Sequence, residues 1–121
     1  MSELLLEATM TNTLTQYAQA VKQCRDIFIK KTKDYGTSWR VLRTISIVDQ
    51  IFIKAQRIKT IQQKGDQKVV DDITSEFRGM VNYGVIGLIQ LGLKSESVED
   101  LPVQQIENWF DEKIEFARSV M

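Results

Sequence analysis

Apolar side chains recur along the first third of the chain at alternating spacings of three and four residues, which is the period of an amphipathic α-helix. Thr13 and Gln16 have the spacing of an N-terminal capping box, and Asp34-Tyr35-Gly36 offers a glycine for a C-terminal cap. We therefore predict a first helix from about Thr13 to Thr32, followed by a turn. Its apolar stripe comprises Leu14, Tyr17, Val21, Cys24, Phe28 and Lys31.

Two further helices are predicted in the middle of the chain. The second begins near Ser46, whose oxygen can cap it, and runs to Lys64, before Gly65-Asp66. Its buried stripe comprises Ile47, Ile51, Ile58 and Ile61. The third runs from about Val70 to Leu91 and is apolar almost all round in its second half, which is typical of a helix at the centre of a bundle.

A fourth helix is predicted after the polar connector KSESVEDLP, with Pro102 suited to the first helical position. One face of this helix carries Val103, Ile106, Phe110, Ile114, Ala117 and Met121. Strand-like alternation is not found in the sequence. The predicted fold class is therefore all-α, with a bundle of four main helices forming a single domain over residues 1–121.

The end of the chain resembles its beginning. FDEKIEFARSVM, residues 110–121, can be aligned with YAQAVKQCRDIF, residues 17–28, so that aromatic, β-branched, small and arginine positions coincide. This pattern predicts that the helix over 102–121 resembles the start of a second repeat. We therefore expect the chain to be one half of a duplicated helical unit, with a homodimer partner or a second repeat covering its apolar face.

Composition narrows the classes of function. The 121 residues are 43% hydrophobic and 26% charged, with 16 basic and 16 acidic residues, and no helix face is basic. Direct binding of nucleic acid is therefore not expected. Histidine is absent from the sequence, and the single cysteine, Cys24, is expected to be a small buried hydrophobe. The start, MSELLLEATMTNTL, fits neither a signal peptide nor a membrane anchor, which predicts a cytoplasmic protein with no membrane partner.

The segment KDYGTSWR, Lys33 to Arg40, is unusual for a connector because it contains both a tyrosine and a tryptophan. Two cations, Lys54 and Arg57, border the apolar stripe of the second helix, where isoleucine would pack better. Their stems can lie along the rim of the core, or their charges can meet an anionic ligand. These features make a ligand site near the turn a candidate.

The same residues carry a resemblance to a known family. KDYGTSWR, then DQIFIKAQRIKTI (49–61) and SEFRGMVNYGVIGLIQL (75–91), resemble the nucleotide modification associated domain of bacteria and phages. The resemblance covers about residues 17–93. That family is itself similar, more remotely, to the MazG-like all-α nucleoside triphosphate pyrophosphatases, which hold magnesium with Glu-x-x-Glu on one helix and Glu-x-x-Asp on the next. The resemblance thus implies an all-α fold and a nucleotide ligand.

The magnesium motifs of the MazG-like enzymes are only partly present. Glu76 matches the glutamate of the Glu-x-x-Asp pair, but Gly79 stands at the aspartate position. The preceding helix carries Asp49, Lys54 and Arg57 in place of Glu-x-x-Glu. The resemblance therefore implies nucleotide binding more strongly than hydrolysis, and it leaves open whether the chain is an enzyme.

Two hypotheses follow. In the first, the domain binds a nucleotide phosphate with magnesium, as a degenerate relative of the MazG-like pyrophosphohydrolases. The metal ligands are then Asp49, Asp72 and Glu76, and the nucleotide-binding residues are Lys33, Asp34, Tyr35, Trp39, Arg40, Lys54, Arg57 and Asn82. In the second, the bundle is a helical protein–protein interaction or oligomerisation module without catalytic activity. Tyr35 and Trp39 then pack as a hydrophobic latch over the helix ends.

Overall fold

The computed structural model describes residues 3–64, 69–93 and 101–120, without the side chains of residues 6–10 and 69–71. Its elements are α1 (Glu3–Tyr35), a 3₁₀ helix (Ser38–Val41), α2 (Thr44–Lys64), α3 (Val69–Gly92) and α4 (Val103–Ser119). No strand occurs in these ranges, which confirms the predicted all-α bundle of four main helices. The predicted turn at Gly65-Asp66, most of the connector before Pro102, and Met121 lie outside the described residues.

Helix α1 begins ten residues earlier than predicted. Residues 3–12 contain glutamate, leucine and alanine and neither glycine nor proline, so nothing in them stops a helix. The proposed capping box at Thr13 and Gln16 is therefore wrong, because both residues lie inside the helix. Leu14 is 54% exposed, Tyr17 and Val21 are partly buried, and the first fully buried residue of the predicted stripe is Cys24.

The end of α1 agrees with the predicted turn. Gly36 has φ of 66°, in the left-handed region, and its N–H donates to the Thr32 carbonyl at 2.8 Å. A residue with a side chain adopts this backbone conformation only with strain, whereas glycine adopts it readily. The glycine thus turns the chain out of α1 and into the 3₁₀ helix.

Helix α3 lies at the centre of the bundle, as its apolar composition predicts. It packs against each of the other three α-helices, and its contact with α2 is the most extensive. The buried apolar core comprises Cys24, Phe28, Trp39, Ile47, Val85, Ile86, Ile89, Ile106 and Phe110. Among the described residues, no helix combines the length and the apolar character that a membrane span requires.

Helix α4 packs within its own chain, against α1 and α3. Ile106 and Phe110 are fully buried, and the Phe110 ring lies 5.1 Å from that of Phe28, measured between centroids. On the surface beside them, Arg25 Nε donates to Asp111 at 2.8 Å. Ile106 and Phe110 of the apolar face of α4 are therefore covered within the chain itself. Duplication and dimer formation themselves stay predictions.

We predict that Phe110→Ala destabilises the domain by about 3–5 kcal/mol, because it removes a buried ring at the α1–α4 contact. Phe116→Ala is the matched control on the same helix. Its ring is 57% exposed, so the change should stay within about 0.5 kcal/mol. Urea denaturation of both variants measures the difference, and equal effects would show that α4 does not pack as described.

Candidate functional site

A cavity of about 400 Å³ lies between the C-terminal half of α1, the 3₁₀ helix and α3. Its volume falls in the usual range for small-molecule sites, about 300–1,000 Å³. Helix α3 lines it with one face, at residues 75, 78, 79, 82, 83 and 86, which follow the helical spacing of three and four. Helix α2 contributes Lys54. The cavity therefore lies beside the segment that the sequence singled out.

Three cationic side chains line this cavity: Lys31 from α1, Lys54 from α2 and Arg78 from α3. Among the described residues, no aspartate or glutamate joins them in the lining. Arg78 donates a hydrogen bond to Gln23 Oε1 on α1. The cavity thus offers positive charge from three different helices, an arrangement suited to an anionic ligand.

Lys54 reaches the cavity across a glycine. A Cβ atom built on Gly79 would lie 2.6 Å from Lys54 Cε and 2.9 Å from Nζ, so the lysine side chain occupies the space that any larger residue would need. Its Nζ then lies 3.3 Å from Glu76 Oε2 and 5.9 Å from the centroid of the Tyr83 ring. The lysine is therefore held by contacts with α3.

Trp39 is buried, at 9% exposure, and lines the cavity from the 3₁₀ helix. The turn that carries it is fastened to α3 by one side chain. Gln90 Nε2 donates to the carbonyls of Trp39, Arg40 and Leu42 at 3.1, 3.1 and 3.0 Å. Gln90 Oε1 accepts a hydrogen bond from Arg40 Nη1. The position of Trp39 thus depends on Gln90.

Tyr35 also lines the cavity, but it is 75% exposed. The packing that the second hypothesis expects of both rings is found for Trp39, which belongs to the buried core, and not for Tyr35. An exposed ring at the edge of a cavity remains available to stack on a ligand. The two aromatic residues of KDYGTSWR thus have different environments.

Asn82 is a buried polar residue of the cavity wall, at 8% exposure. Its Nδ2 donates to the Cys24 carbonyl at 3.1 Å. This contact fixes the orientation of the amide, because the flipped orientation would place two acceptors, Oδ1 and the carbonyl oxygen, against each other. Oδ1 is buried and has no hydrogen-bond partner among the described residues. An unsatisfied buried acceptor costs about 1–3 kcal/mol, which a ligand donor could offset.

Cys24 lies beside this site without the properties of a nucleophile. It is 4% exposed, and burial raises the pKa of its thiol, while the positive charge of Arg78 only partly opposes that shift. A thiol with a raised pKa stays protonated near neutral pH and reacts slowly. The expectation that Cys24 acts as a small buried hydrophobe agrees with this environment.

The structure brings only some of the predicted nucleotide-binding residues to the cavity. Tyr35, Trp39, Lys54 and Asn82 line it, whereas the other four are not among its described lining residues. Arg40 is buried and hydrogen-bonded to Gln90, and Arg57 lies 3.8 Å from Glu76 with most of its side chain exposed. The remaining two, Lys33 and Asp34, are exposed at the end of α1.

The predicted metal ligands are not assembled into a cluster. Asp49 and Asp72 are exposed, and Glu76 is paired with Lys54 and Arg57. Among the described residues, no three acidic or cysteine side chains converge in a way that could hold a metal ion. The donor set of the structure therefore does not fit the magnesium site that the sequence predicted.

Sequence reasoning missed two of the three cavity cations. Lys31 was counted in the apolar stripe of α1, and its helical spacing from Phe28 was the available signal that it shares the cavity face. Arg78 and Gln90 are not among the site residues that the sequence predicts. No local pattern indicates that the Gln90 amide binds a turn about fifty residues away.

A family model described as nucleotide modification associated domain 1 matches residues 31–91, which is half of the chain. The chain belongs to this family, as the resemblance in the sequence predicted, although the match is shorter than the expected range 17–93. All three cavity cations lie within the matched segment. The comparisons found no matching curated protein and no matching solved structure.

We predict that Gln90→Ala destabilises the domain by about 1–3 kcal/mol, because it leaves carbonyls of the turn without a donor. In a Trp109→Phe background, where Trp39 is the single tryptophan, its fluorescence emission should shift to longer wavelength as the ring becomes hydrated. Gln56→Ala, at an exposed position of α2, is the control and should change neither property. An unshifted Trp39 emission in Gln90→Ala would contradict this role.

Proposed function

We propose that this domain binds a nucleotide in the cavity, with the phosphate group against Lys31, Lys54 and Arg78. The observation that carries the proposal is the lining itself, which has cations from three helices and no described acidic side chain. Cationic side chains form strong charge-assisted hydrogen bonds with phosphate oxygens. Ser38 of the 3₁₀ helix and Ser75 of α3 also line the cavity and add hydroxyl groups.

The aromatic residues suit the base of a nucleotide. Tyr35 is exposed at the edge of the cavity and Trp39 forms part of its wall. Stacking of a base on an aromatic ring contributes about 1–3 kcal/mol, whatever the base. Asn82 lies in the cavity wall as a further polar residue, whose amide could contact the base or the sugar.

Membership of the nucleotide modification associated family supports a nucleotide over other anions of similar size. The family description associates the domain with nucleotide modification and specifies no reaction. The cavity contributes the chemistry that this description lacks, since it combines positive charge with exposed and buried aromatic rings. Together they favour a phosphorylated ligand that carries a base.

The proposed function is binding of a nucleotide, without hydrolysis of the MazG-like kind. Metal-assisted hydrolysis needs several carboxylates that converge on the ions, and the described acids do not converge. At the position that would supply the second acid of a Glu-x-x-Asp pair, Gly79 is covered by Lys54. The remote likeness to those enzymes therefore supports only the class of ligand, a nucleotide.

Titration calorimetry with deoxynucleosides and their mono-, di- and triphosphates tests the proposal. The phosphorylated ligands should bind and the nucleosides should bind much more weakly, because the three cations contact only phosphate. Lys54→Met should weaken binding about tenfold to a hundredfold, since a hydrogen bond to a charged group contributes about 1.5–3 kcal/mol.

Lys59→Met is the matched control, because Lys59 is an exposed lysine of the same helix outside the described lining. It should bind as the unaltered protein does. Equal losses in both lysine variants would indicate a general charge effect. Folded protein that releases no heat with any nucleotide would contradict the proposed function.

A second candidate function, self-association, is favoured by a separate observation. The outer surface of α2 exposes Ile45, Val48 and Phe52, at 60%, 50% and 60%, and their spacing of three and four places them in one stripe. On α3, Phe77 is 52% exposed. Such apolar patches mark interaction surfaces, and a formal net charge of zero does not oppose pairing of two copies.

Sedimentation velocity over a range of protein concentrations tests this second candidate. We expect the mass of a dimer for the unaltered chain and of a monomer for Phe52→Glu, because the new charge would be buried in the interface. The melting temperature of Phe52→Glu should change little, since the ring is exposed within the chain. A monomer at every concentration of the unaltered protein would contradict self-association.

A further inference from the structure

We infer that the cavity binds its phosphate ligand directly through Lys54, Lys31 and Arg78, with no divalent metal ion between them, and that Glu76 acts as a positioning residue for Lys54. This inference rests on the proposed function and specifies how the same site recognises its ligand. The phosphate is then bound by cationic side chains instead of by a magnesium ion at the predicted site.

Glu76 is hydrogen-bonded to one cation and lies near a second. Lys54 Nζ lies 3.3 Å from Oε2, and Arg57 Nη1 lies 3.8 Å from Oε1. The side chains of Glu76 and Lys54 are 18% and 19% exposed, so water screens this pair less than a surface pair. A magnesium ion at Glu76 would have to displace the ammonium group of Lys54 and would be repelled by the charges of both Lys54 and Arg57.

The position of Lys54 follows from the residues beneath it. Gly79 leaves room for the end of the lysine side chain, which passes so close that a Cβ atom there would lie 2.6 Å from Lys54 Cε. Glu76, one helical turn before Gly79, then holds the ammonium group near the cavity wall. The glycine and the glutamate of α3 together place one cation of α2 at the site.

The remaining chemistry of the cavity also lacks what magnesium prefers. Magnesium binds oxygen ligands in near-octahedral geometry, commonly one or two carboxylates together with phosphate oxygens and water. The described lining contains hydroxyl, amide and cationic groups, and its one buried unsatisfied atom, Asn82 Oδ1, lies on a residue whose Nδ2 is already bound. Phosphate oxygens, by contrast, are the natural partners of three cationic side chains.

The test is calorimetric titration of the full chain with a deoxynucleoside monophosphate, once with EDTA and once with excess magnesium. Direct recognition predicts dissociation constants that agree within about twofold, since the interaction is between side-chain cations and phosphate. Binding that requires magnesium would overturn the inference while leaving the proposed function intact. No binding under either condition would instead refute the proposed function.

Two variants separate the roles of Glu76 and Gly79. Glu76→Gln keeps an oxygen that accepts from Lys54 Nζ but removes a negative charge near the phosphate, so binding should be unchanged or about twofold to fivefold tighter, with and without magnesium. Glu112→Gln, an exposed change on α4, is the control and should have no effect. A magnesium-dependent loss of affinity in Glu76→Gln alone would show that Glu76 is a metal ligand.

Gly79→Ala tests the placement of Lys54 without altering any charge. The added methyl group should displace the lysine and weaken monophosphate binding about tenfold, while alanine keeps or raises the melting temperature because it favours the helix. A purely structural role would not separate affinity from stability in this way. Unchanged affinity in Gly79→Ala would show that the position of Lys54 does not matter for the ligand.

Discussion

The cavity depends on one interaction, the hydrogen bonding of the Gln90 amide to the chain that follows α1. After Gly36 the backbone leaves its helix, and the carbonyls of residues 39, 40 and 42 turn toward α3. Buried carbonyls need donors, and the two N–H groups of one Nε2 are shared among these three carbonyls. Thr37, which is 1% exposed, fastens the same turn to the chain entering α4, because its Oγ1 accepts from the Leu101 N–H at 3.1 Å. Trp39 is thus held in place as part of the cavity wall.

On the opposite side of the cavity, the packing of the helices determines where the cationic side chains lie. In most amphipathic helices the ammonium group of such a lysine would be exposed to solvent. Here the Lys54 side chain passes over Gly79, and its ammonium group pairs with Glu76. Lys31 and Arg78 approach from two other helices, so no single helix carries a basic face. This explains how a chain with equal numbers of acidic and basic residues can present a locally positive cavity. The turn and the cations together define a site that suits a phosphorylated, base-bearing ligand.

The helices and the central place of α3 could be predicted because periodicity and apolar composition are local signals. The start of α1 could not be predicted, because residues 3–12 carry no local signal that the helix begins at Glu3. Trp39 and Tyr35 look alike in the sequence, and the distant partners that fasten the turn, Gln90 and Leu101, could not be read from it. The environment of the acids could not be predicted for a similar reason: packing brings Lys54 and Arg57 to Glu76, whereas Asp49 and Asp72 are exposed.

Direct mapping of the ligand by nitrogen-15 NMR tests the central claim, that the cavity beside the fixed turn is a nucleotide site. During titration with a deoxynucleoside monophosphate, the largest shifts should fall on the Trp39 indole N–H, the Asn82 side-chain amide and the backbone amides near Lys31 and Arg78. Exposed positions of α4, such as Glu115, should stay unchanged and serve as an internal control. Shifts confined to α4, or spread evenly over the surface, would contradict the claim.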